Sequence, residues 1–393
     1  MFPFIVYKFG VDIYPETLYS RRQCPLTAPL NRRTRAPLEL RMEHLVTARG
    51  MEFILNIQST GQMAARSWTS LLARYKQPDN GRAVFEIVVT ALPLAGLWAA
   101  MWALSQISLL LPLLLAIPAA GLVVRMFMIQ HDCGHGALFS SRKANDWVGR
   151  VIGVLTLTPY DFWRQSHATH HAGSGNLDRR GIGDIDTLTV AEYRALGAWG
   201  RFRYKIYRHP IVIFGIGPSY LFLIQQRLPF GAMNHRMPWI STLLTNLGVV
   251  LASAVLIYLV GWAAFLVIQL PIIMIGASIG VWLFYVQHQF ERTYWDHEPD
   301  WSHPEAALHG SSLYDLPKPL MWVTGNIGIH HLHHLSSRIP FHRLPKVLED
   351  HPELGNIGRL TLWQSLLCVR LTLWDEQKRQ LVSFRQAEAS ATA

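Results

Sequence analysis

Four long apolar stretches limit what this chain can fold into more than any other feature of its sequence. Each has about the 20 residues that an α-helix needs to cross the hydrocarbon core of a bilayer. Very short connectors join the first stretch to the second and the third to the fourth, so each pair is predicted to form a helical hairpin. The sequence therefore predicts an all-α integral membrane protein with four transmembrane helices arranged as two hairpins, at about residues 84–104, 106–129, 239–260 and 263–286.

The distribution of charge agrees with a membrane protein. Only 16% of the 393 residues are charged, whereas about a quarter is typical of soluble domains. Lys and Arg are absent from residues 83–124 and 237–291 but frequent between residues 130 and 236. By the positive-inside rule that basic region is cytoplasmic, which predicts a multi-pass protein of the cytoplasmic (inner) membrane with a cytoplasmic helical cap.

The net charge of +10 does not indicate nucleic-acid binding. Nucleic-acid binding would need basic and aromatic residues on a soluble fold, and here the basic residues alternate with apolar spans. No secretory signal peptide is apparent at the N-terminus. Cys24, Cys133 and Cys368 form no plausible disulfide framework and are predicted to be reduced thiols.

The remaining regions differ in composition from the spans. Residues 1–64 are basic and partly Pro-rich, and they are either a disordered tail or sequence upstream of a true start at Met51. Residues 65–350 are predicted to form the main domain and residues 351–393 a cytoplasmic C-terminal tail. Two shorter apolar stretches, at about residues 151–160 and 211–224, are predicted to be interfacial or half-inserted helices.

Nine of the 18 histidines share a common spacing within four short segments; His331, inside the last segment, is off the H-x-x-H-H pattern and is left out. Spacings of three and four residues place side chains on one face of a helix. Imidazole is the most common protein ligand for metals and suits iron, zinc, copper and nickel. Two hairpins would return all four segments to the same face of the membrane, so they are predicted to converge on metal. The segments are HDCGH (131–135), HATHH (167–171), VQHQFE (286–291) and HHLHH (330–334).

A zinc hydrolase is one alternative interpretation of the first segment. HDCGH is similar to the H-E-x-x-H motif, with Asp132 in the position of the general base. A catalytic zinc uses three protein ligands, however, and would leave most of the nine histidines unused. Nine imidazoles fit two metals with room for an exogenous ligand, and such a centre beside a bilayer favours oxygen chemistry over hydrolysis.

The segments and their order resemble the integral membrane fatty acid desaturases. The similarity rests on HDCGH, HATHH, VQHQFE and GNIGIHHLHHLSSRIP and covers roughly residues 65–350. The flanking sequences GSGNLDRRGIGDIDTLT and LHGSSLYDLPKPL are similar to the bacterial and cyanobacterial acyl-lipid (Δ12, or omega-6-like) branch.

That resemblance implies a di-iron desaturase. The substrate would be an acyl chain of a membrane lipid, with dioxygen as co-substrate and a separate reduced electron donor such as ferredoxin, flavodoxin or a cytochrome b5-like protein. The product would contain a cis double bond, with Δ12 favoured over Δ9 and Δ5, and no catalytic side chain is implied beyond the metal ligands. Those ligands would be His131, His135, His167, His170, His171, His288, His330, His333 and His334.

Polar residues near these segments are candidates to orient the ligands. Each could accept the second N–H of a ligand imidazole. The basic run RFRYKIYRH at 201–209 would contact either anionic headgroups or an acidic electron donor. His297, His303, His309 and His342 are predicted to lie at the surface or around the centre. The orienting candidates are Asp161, Asp184, Asp186, Glu291 and Asn326.

Two other functions compete with desaturation. Membrane hydroxylases and alkane or carotenoid oxygenases share the histidine boxes and differ in inserting oxygen. A metal transporter would place its ligands within the spans at mid-membrane depth, and the apolar stretches contain no histidine. The acyl carrier could be a glycerolipid, CoA or a carrier protein.

Overall fold

Four long apolar helices form the membrane-spanning part of the fold, as predicted. The computed structural model describes residue 68 and residues 70–389, so the expectations for residues 1–64 lie outside the described residues. The four helices have mean hydropathies between 1.9 and 2.3. We name them span one (Asn80–Ser105), span two (Leu113–His135), span three (Arg236–Val260) and span four (Trp262–His288).

Span two begins later and ends later than the sequence predicted. Residues between Ser105 and Leu113 form turns, and Pro112 directly precedes the helix. At the other end the helix continues through HDCGH and stops at Gly136, whose φ of 63° is left-handed. Glycine adopts this conformation without steric cost, so it commonly terminates helices. The first histidine segment is therefore the last part of a transmembrane helix.

Span two lies at the centre of the transmembrane bundle. Its most apolar part is 61% buried, compared with 33% for span four and only 11% and 6% for spans one and three. It packs mainly against span four, the helix Arg142–Leu155 and span one. Spans one and three therefore present most of their apolar side chains outward, as a helix in contact with lipid does.

A buried ion pair joins spans one and two. Glu86 and Arg125 are each 1% exposed and contact one another. The Arg125 guanidinium also donates to Thr90 and to the backbone carbonyl of Trp322, and it lies 4.0 Å from the centre of the Trp322 ring. Because a buried charge is costly unless it is paired and hydrogen-bonded, this network ties both spans to the segment that precedes the third histidine box.

Short helices form a cap around the ends of the spans. The predicted stretch 151–160 includes the end of one of them, which exposes Val151 and Leu155. The stretch 211–224 forms a π-helical segment, Val212–Ile216, followed directly by a helix. The cap helices are Arg142–Leu155, Tyr160–Gly173, Val190–Ala195, Ala198–Tyr207, Gly217–Leu223, His303–His309, Lys318–Val323, His330–Leu335, Leu344–Asp350, Leu362–Cys368 and Phe384–Ala389; the shorter 3-10 segments are Leu72–Lys76, Gln225–Arg227, Phe341–Arg343 and Pro352–Asn356.

The segment after residue 350 is folded onto the cap over its described part, whereas the sequence suggested a tail. Four three-residue strands form two small sheets, in which β1 (Leu313–Asp315) pairs in parallel with β2 (Arg359–Thr361) and β3 (Leu373–Asp375) pairs antiparallel with β4 (Gln380–Val382). Trp374 is 2% exposed, and its amide bonds to the carbonyl of Leu188. These elements are too short to show periodicity in the sequence, and burial by distant residues stabilises them.

Candidate metal centre

The histidine segments occupy helix ends that meet in one place. His131 and His135 lie in the last two turns of span two, and His288 is the last residue of span four. HATHH lies at the end of the helix Tyr160–Gly173, which we call the box-two helix, and HHLHH forms most of the helix His330–Leu335, which we call the box-three helix. The ends of these helices thus bring histidines more than 150 residues apart into contact, as His171 and His333 show.

Five of the nine imidazoles form one group with their ligand atoms within 4.8 Å of one another. Within it, His167 Nε2 lies 2.9 Å from His131 Nε2 and 3.0 Å from His135 Nε2. His171 Nε2 lies 3.1 Å from both His167 Nε2 and His333 Nε2. This five-histidine group is His131, His135, His167, His171 and His333.

The other four imidazoles form a second group, all of them buried. His330 Nε2 lies 3.0 Å from His288 Nε2 and 3.1 Å from His334 Nε2. The Nε2 atom of His170 is buried and has no hydrogen-bond partner in the described structure. This four-histidine group is His170, His288, His330 and His334.

The box-two and box-three helices each contribute to both groups. In box two, His167 and His171 belong to the five-histidine group and His170 to the other. In box three the division is reversed, with His333 in the first group and two histidines in the second. The rings of His171 and His334 stack with centroids 4.1 Å apart, so the two groups are adjacent.

The spacing of the nitrogens fits two metal ions. A neutral imidazole has one N–H and one lone pair. His167 Nε2 faces three other Nε2 atoms, but it can donate a proton to only one of them. Two nitrogens that each bind one metal ion at about 2.1 Å lie within about 4.2 Å of one another, and the neighbouring Nε2 atoms are 2.9 to 3.1 Å apart. Each group can therefore hold one metal ion.

Burial keeps the imidazoles of the cap in the form that binds metal. Desolvation lowers the pKa of His167, His171, His330, His333 and His334 well below the usual value, and neighbouring imidazoles lower it further. A histidine must be neutral at the ligating nitrogen to bind a metal. These five rings are consequently prepared as ligands at neutral pH.

Three contacts at Nδ1 orient the rings of ligand candidates. The carboxylate of Asp184 contacts Nδ1 of His170. His288 Nδ1 donates to the carbonyl of Gly310 at 3.3 Å, and His131 Nδ1 lies 3.4 Å from the carboxylate of Asp132. An acceptor at Nδ1 leaves the Nε2 lone pair free for a metal and fixes the plane of the ring.

Of the five orienting candidates named from the sequence, the described structure places Asp184 against an imidazole and the other four elsewhere. Asp161 pairs with Arg150, with a closest distance of 2.9 Å. The side chain of Asn326 donates to the carbonyl of Phe341 at 3.3 Å. Glu291 is exposed, and Asp186 bonds through its backbone amide to the Tyr207 hydroxyl.

A buried arginine holds the loop that carries Asp184. Arg208 is 3% exposed and donates to the carbonyl of Asp186 at 3.3 Å and to the Thr187 hydroxyl at 2.9 Å. Its other nitrogen donates at 3.1 Å to the side chain of Gln289, which follows His288 directly. Arg208 therefore fixes the loop behind His170 relative to the end of span four.

Asp132 and Trp163 contribute to the centre in ways that the sequence analysis missed. Asp132 accepts a hydrogen bond of 2.6 Å from the amide of Phe341, which ties box one to the chain after box three. Trp163 stacks on His167 with centroids 4.8 Å apart, and a Cβ at Gly134 would lie 2.9 Å from its ring. Two features of the sequence could have indicated these contacts: the acidic residue next to His131, and Gly134 inside a predicted helix.

The other histidines of the described residues lie outside both groups. His331 is buried within the box-three helix, but its Nε2 faces the carbonyl of Leu354 at 3.0 Å. His297 and His309 pair with nearby carboxylates, and His303 is exposed. Burial of His342 lowers its pKa.

Comparisons with known proteins bear on the identity of this centre. The model of the Fatty acid desaturase family matches residues 108–364, a range that contains all nine histidines. A "Fatty acid desaturase" of Bacillus subtilis (strain 168) is 45% identical over 318 residues, which are 81% of this chain and 90% of that protein.

More distant relatives carry more specific names. An "sn-1 acyl-lipid omega-3 desaturase (ferredoxin)" of Synechocystis sp. is 29% identical over 260 residues, which are 61% of this chain and 68% of that protein. An endoplasmic reticulum "Omega-3 fatty acid desaturase" of Vigna radiata is 28% identical over 241 residues, which are 58% of this chain and 61% of that protein.

Proposed function

The chain belongs to the fatty acid desaturase family, and on that premise we propose that it introduces a cis double bond into an acyl chain of a membrane lipid. The nine histidines would hold two irons, and dioxygen would be the co-substrate. The main support is that the imidazoles gather into two adjacent groups at the ends of the membrane spans, where an acyl chain can reach them.

The proposed reaction removes two hydrogen atoms from neighbouring methylene groups. The acyl chain, one dioxygen, two electrons and two protons yield the unsaturated chain and two water molecules. When bound, the iron pair supplies with dioxygen the oxidising chemistry that no amino-acid side chain offers. The protein positions the ligands and the acyl chain, and it excludes water from the centre.

Contacts among the described residues support the proposed positioning of the ligands. Burial maintains neutral imidazoles, and the contacts of Asp184 and Gly310 direct the Nε2 atoms of His170 and His288 into their group. The hydrogen bond from the Phe341 amide to Asp132 connects box one to the region after box three. No described side chain outside the histidine groups needs to act on the acyl chain itself.

The substrate and the electron donor are proposed from the relatives. The Synechocystis protein is named as an acyl-lipid desaturase and its name includes ferredoxin, which supports a lipid-esterified chain and a small reduced donor such as ferredoxin; flavodoxin and a cytochrome b5-like protein are the other donors to test. For the double bond we propose Δ12 first, followed by Δ9 and Δ5. The Synechocystis and Vigna proteins are named as omega-3 desaturases, which adds the omega-3 position to those tested.

Analysis of the product tests this proposal. A bacterial host that expresses the chain should accumulate a new unsaturated fatty acid in its membrane lipids. Gas chromatography with mass spectrometry of derivatised fatty acids would locate the double bond. Cells that carry the His135→Ala variant are the matched control. A new hydroxyl group in place of a double bond would refute desaturation and favour the related hydroxylases.

We also propose that the metal centre faces the cytoplasm. The basic residues between spans two and three support this orientation by the positive-inside rule. Reporters inserted near residue 190 and after residue 389 should report the cytoplasm, and a reporter in the connector at residues 106–112 should report the opposite side. The reverse pattern would contradict the orientation.

A further inference from the structure

The helix Leu362–Cys368 of the C-terminal segment exposes an apolar face that the proposed function does not use. Trp363, Leu366 and Leu367 are 77%, 50% and 60% exposed. Their spacing of three and four residues places them on one side of the helix. The helix has the sequence LWQSLLC and contains no charged residue. We call these three side chains the C-terminal apolar face.

The opposite side of this helix packs against the end of span four. The Tyr285 hydroxyl donates to the carbonyl of Cys368 at 3.1 Å. Ser365 Oγ lies 3.0 Å from the Tyr314 hydroxyl, which accepts a 3.3 Å hydrogen bond from the indole of Trp282. The helix is thus held at the level of Trp282 to Tyr285.

That level coincides with the edge of the hydrocarbon core. Trp282 precedes the last residue of span four, His288, by six positions, or about 9 Å at 1.5 Å per residue. Counted from Trp262 at the other end of the span, about 20 residues are needed to cross the hydrocarbon core, and they end close to Trp282. This count puts the C-terminal apolar face at the level expected for the boundary between acyl chains and headgroups.

A second exposed apolar segment packs at the same level. The ring of Phe214 lies 5.0 Å from the rings of both Trp282 and Tyr285. Its neighbours Ile211 and Ile216 are 64% and 51% exposed. Segments from two distant parts of the chain thus present apolar side chains beside the same two turns of span four.

We propose that the helix Leu362–Cys368 rests on the bilayer, with the C-terminal apolar face in contact with lipid at the boundary between headgroups and acyl chains. An apolar helix face with a tryptophan is typical of interfacial helices. An acidic electron donor would require positive charges, and this helix has none. The C-terminal segment is therefore a membrane contact in addition to the four spans.

This contact is connected to the metal centre through Arg208. The guanidinium donates to the carbonyl of Leu371, just after the helix, at 2.9 Å. The same nitrogen donates to Gln289, next to His288. Hydrogen bonds of Arg208 therefore join the C-terminal segment to the end of span four, next to the four-histidine group.

Depth-dependent fluorescence quenching tests the proposal. The full chain with Cys24→Ser and Leu367→Cys is labelled with an environment-sensitive fluorophore; the two cysteines of the described region, Cys133 and Cys368, are buried. The protein is reconstituted in vesicles of phosphatidylethanolamine and phosphatidylglycerol, with a phosphatidylcholine brominated near the start of its acyl chains. Gln377→Cys, exposed in the turn between β3 and β4, is the matched control.

Lipid-attached bromine should quench the label at residue 367 several-fold more strongly than it quenches the label at residue 377, and aqueous iodide should show the opposite order. Strong iodide quenching at 367 would overturn the proposal, because the face would then lie in water. Protection from both quenchers would also overturn it and would indicate a protein partner or a second copy of the chain. Leu366→Cys serves as a second position if the first variant does not accumulate.

Discussion

Replacing His333 by alanine is expected to abolish desaturation, and His135→Ala and His170→Ala are expected to do the same. The three residues come from three boxes and together represent both histidine groups. Loss of a ligand opens the coordination of a metal and leaves a cavity in a buried centre, so the effect should be far larger than the roughly 10- to 100-fold typical of residues that only orient ligands. Purified wild-type protein should contain about two irons per chain, and each variant should contain less.

His303→Ala is the matched control for this series. His303 is exposed and belongs to neither group, so its variant should retain most of the activity and iron. Product analysis and metal determination on the same preparations check both quantities. A box variant that makes normal amounts of unsaturated product would contradict the assignment, as would an active protein that contains zinc and no iron.

Replacing Asp184 by alanine should lower desaturation and iron retention by roughly 10- to 100-fold, as expected for an outer contact of a metal ligand. Its carboxylate is the described partner of His170 Nδ1. Without it the ring can rotate or change tautomer, and the four-histidine group is weakened. Iron loss to a chelator over time, measured on detergent-solubilised protein, reports this effect independently of the acyl substrate.

Asp186→Ala is the control for that prediction, since the two acids lie in the same loop. The hydrogen bonds of Asp186 in the described structure use its backbone amide and carbonyl, which the substitution retains. Its iron loss should follow the wild type. Equal effects of the two substitutions would show that the loop, and not the Asp184 carboxylate, maintains the centre.

The membrane fold was predictable because its signal is local and long. Four stretches of about 20 apolar residues correspond to four helices within a few residues at most ends. The largest error was the start of span two, predicted at residue 106 and observed at Leu113. Apolar residues from 109 onward extend the hydropathy signal across turns, and hydropathy does not distinguish a turn at the membrane surface from a helix.

The spacing of the histidines along the sequence predicted only part of the composition of the candidate centre. The pattern H-x-x-H-H predicts one helix face but does not show that His170 and His171 point to different groups. Neighbouring helical residues are about 100° apart, so two metals placed beside one another can each receive one of them. Asp184 and Asp186 are two residues apart in the same loop, so the sequence did not show that Asp184 alone of the two contacts an imidazole in the described structure.

By itself, the sequence determined the class of the protein, its four spans, its nine clustered histidines and the resemblance to membrane desaturases, because each of these depends on residues that are close along the chain. The tertiary structure alone decided the division of the histidines into groups of five and four, the partner of each ring and the incorporation of residues 351–389 into the cap. Those features depend on contacts between residues far apart in sequence, such as Asp132 with Phe341 and Arg208 with Leu371. Such contacts arise from the burial of polar groups that must find hydrogen-bond partners, and no local pattern specifies which partner each one finds.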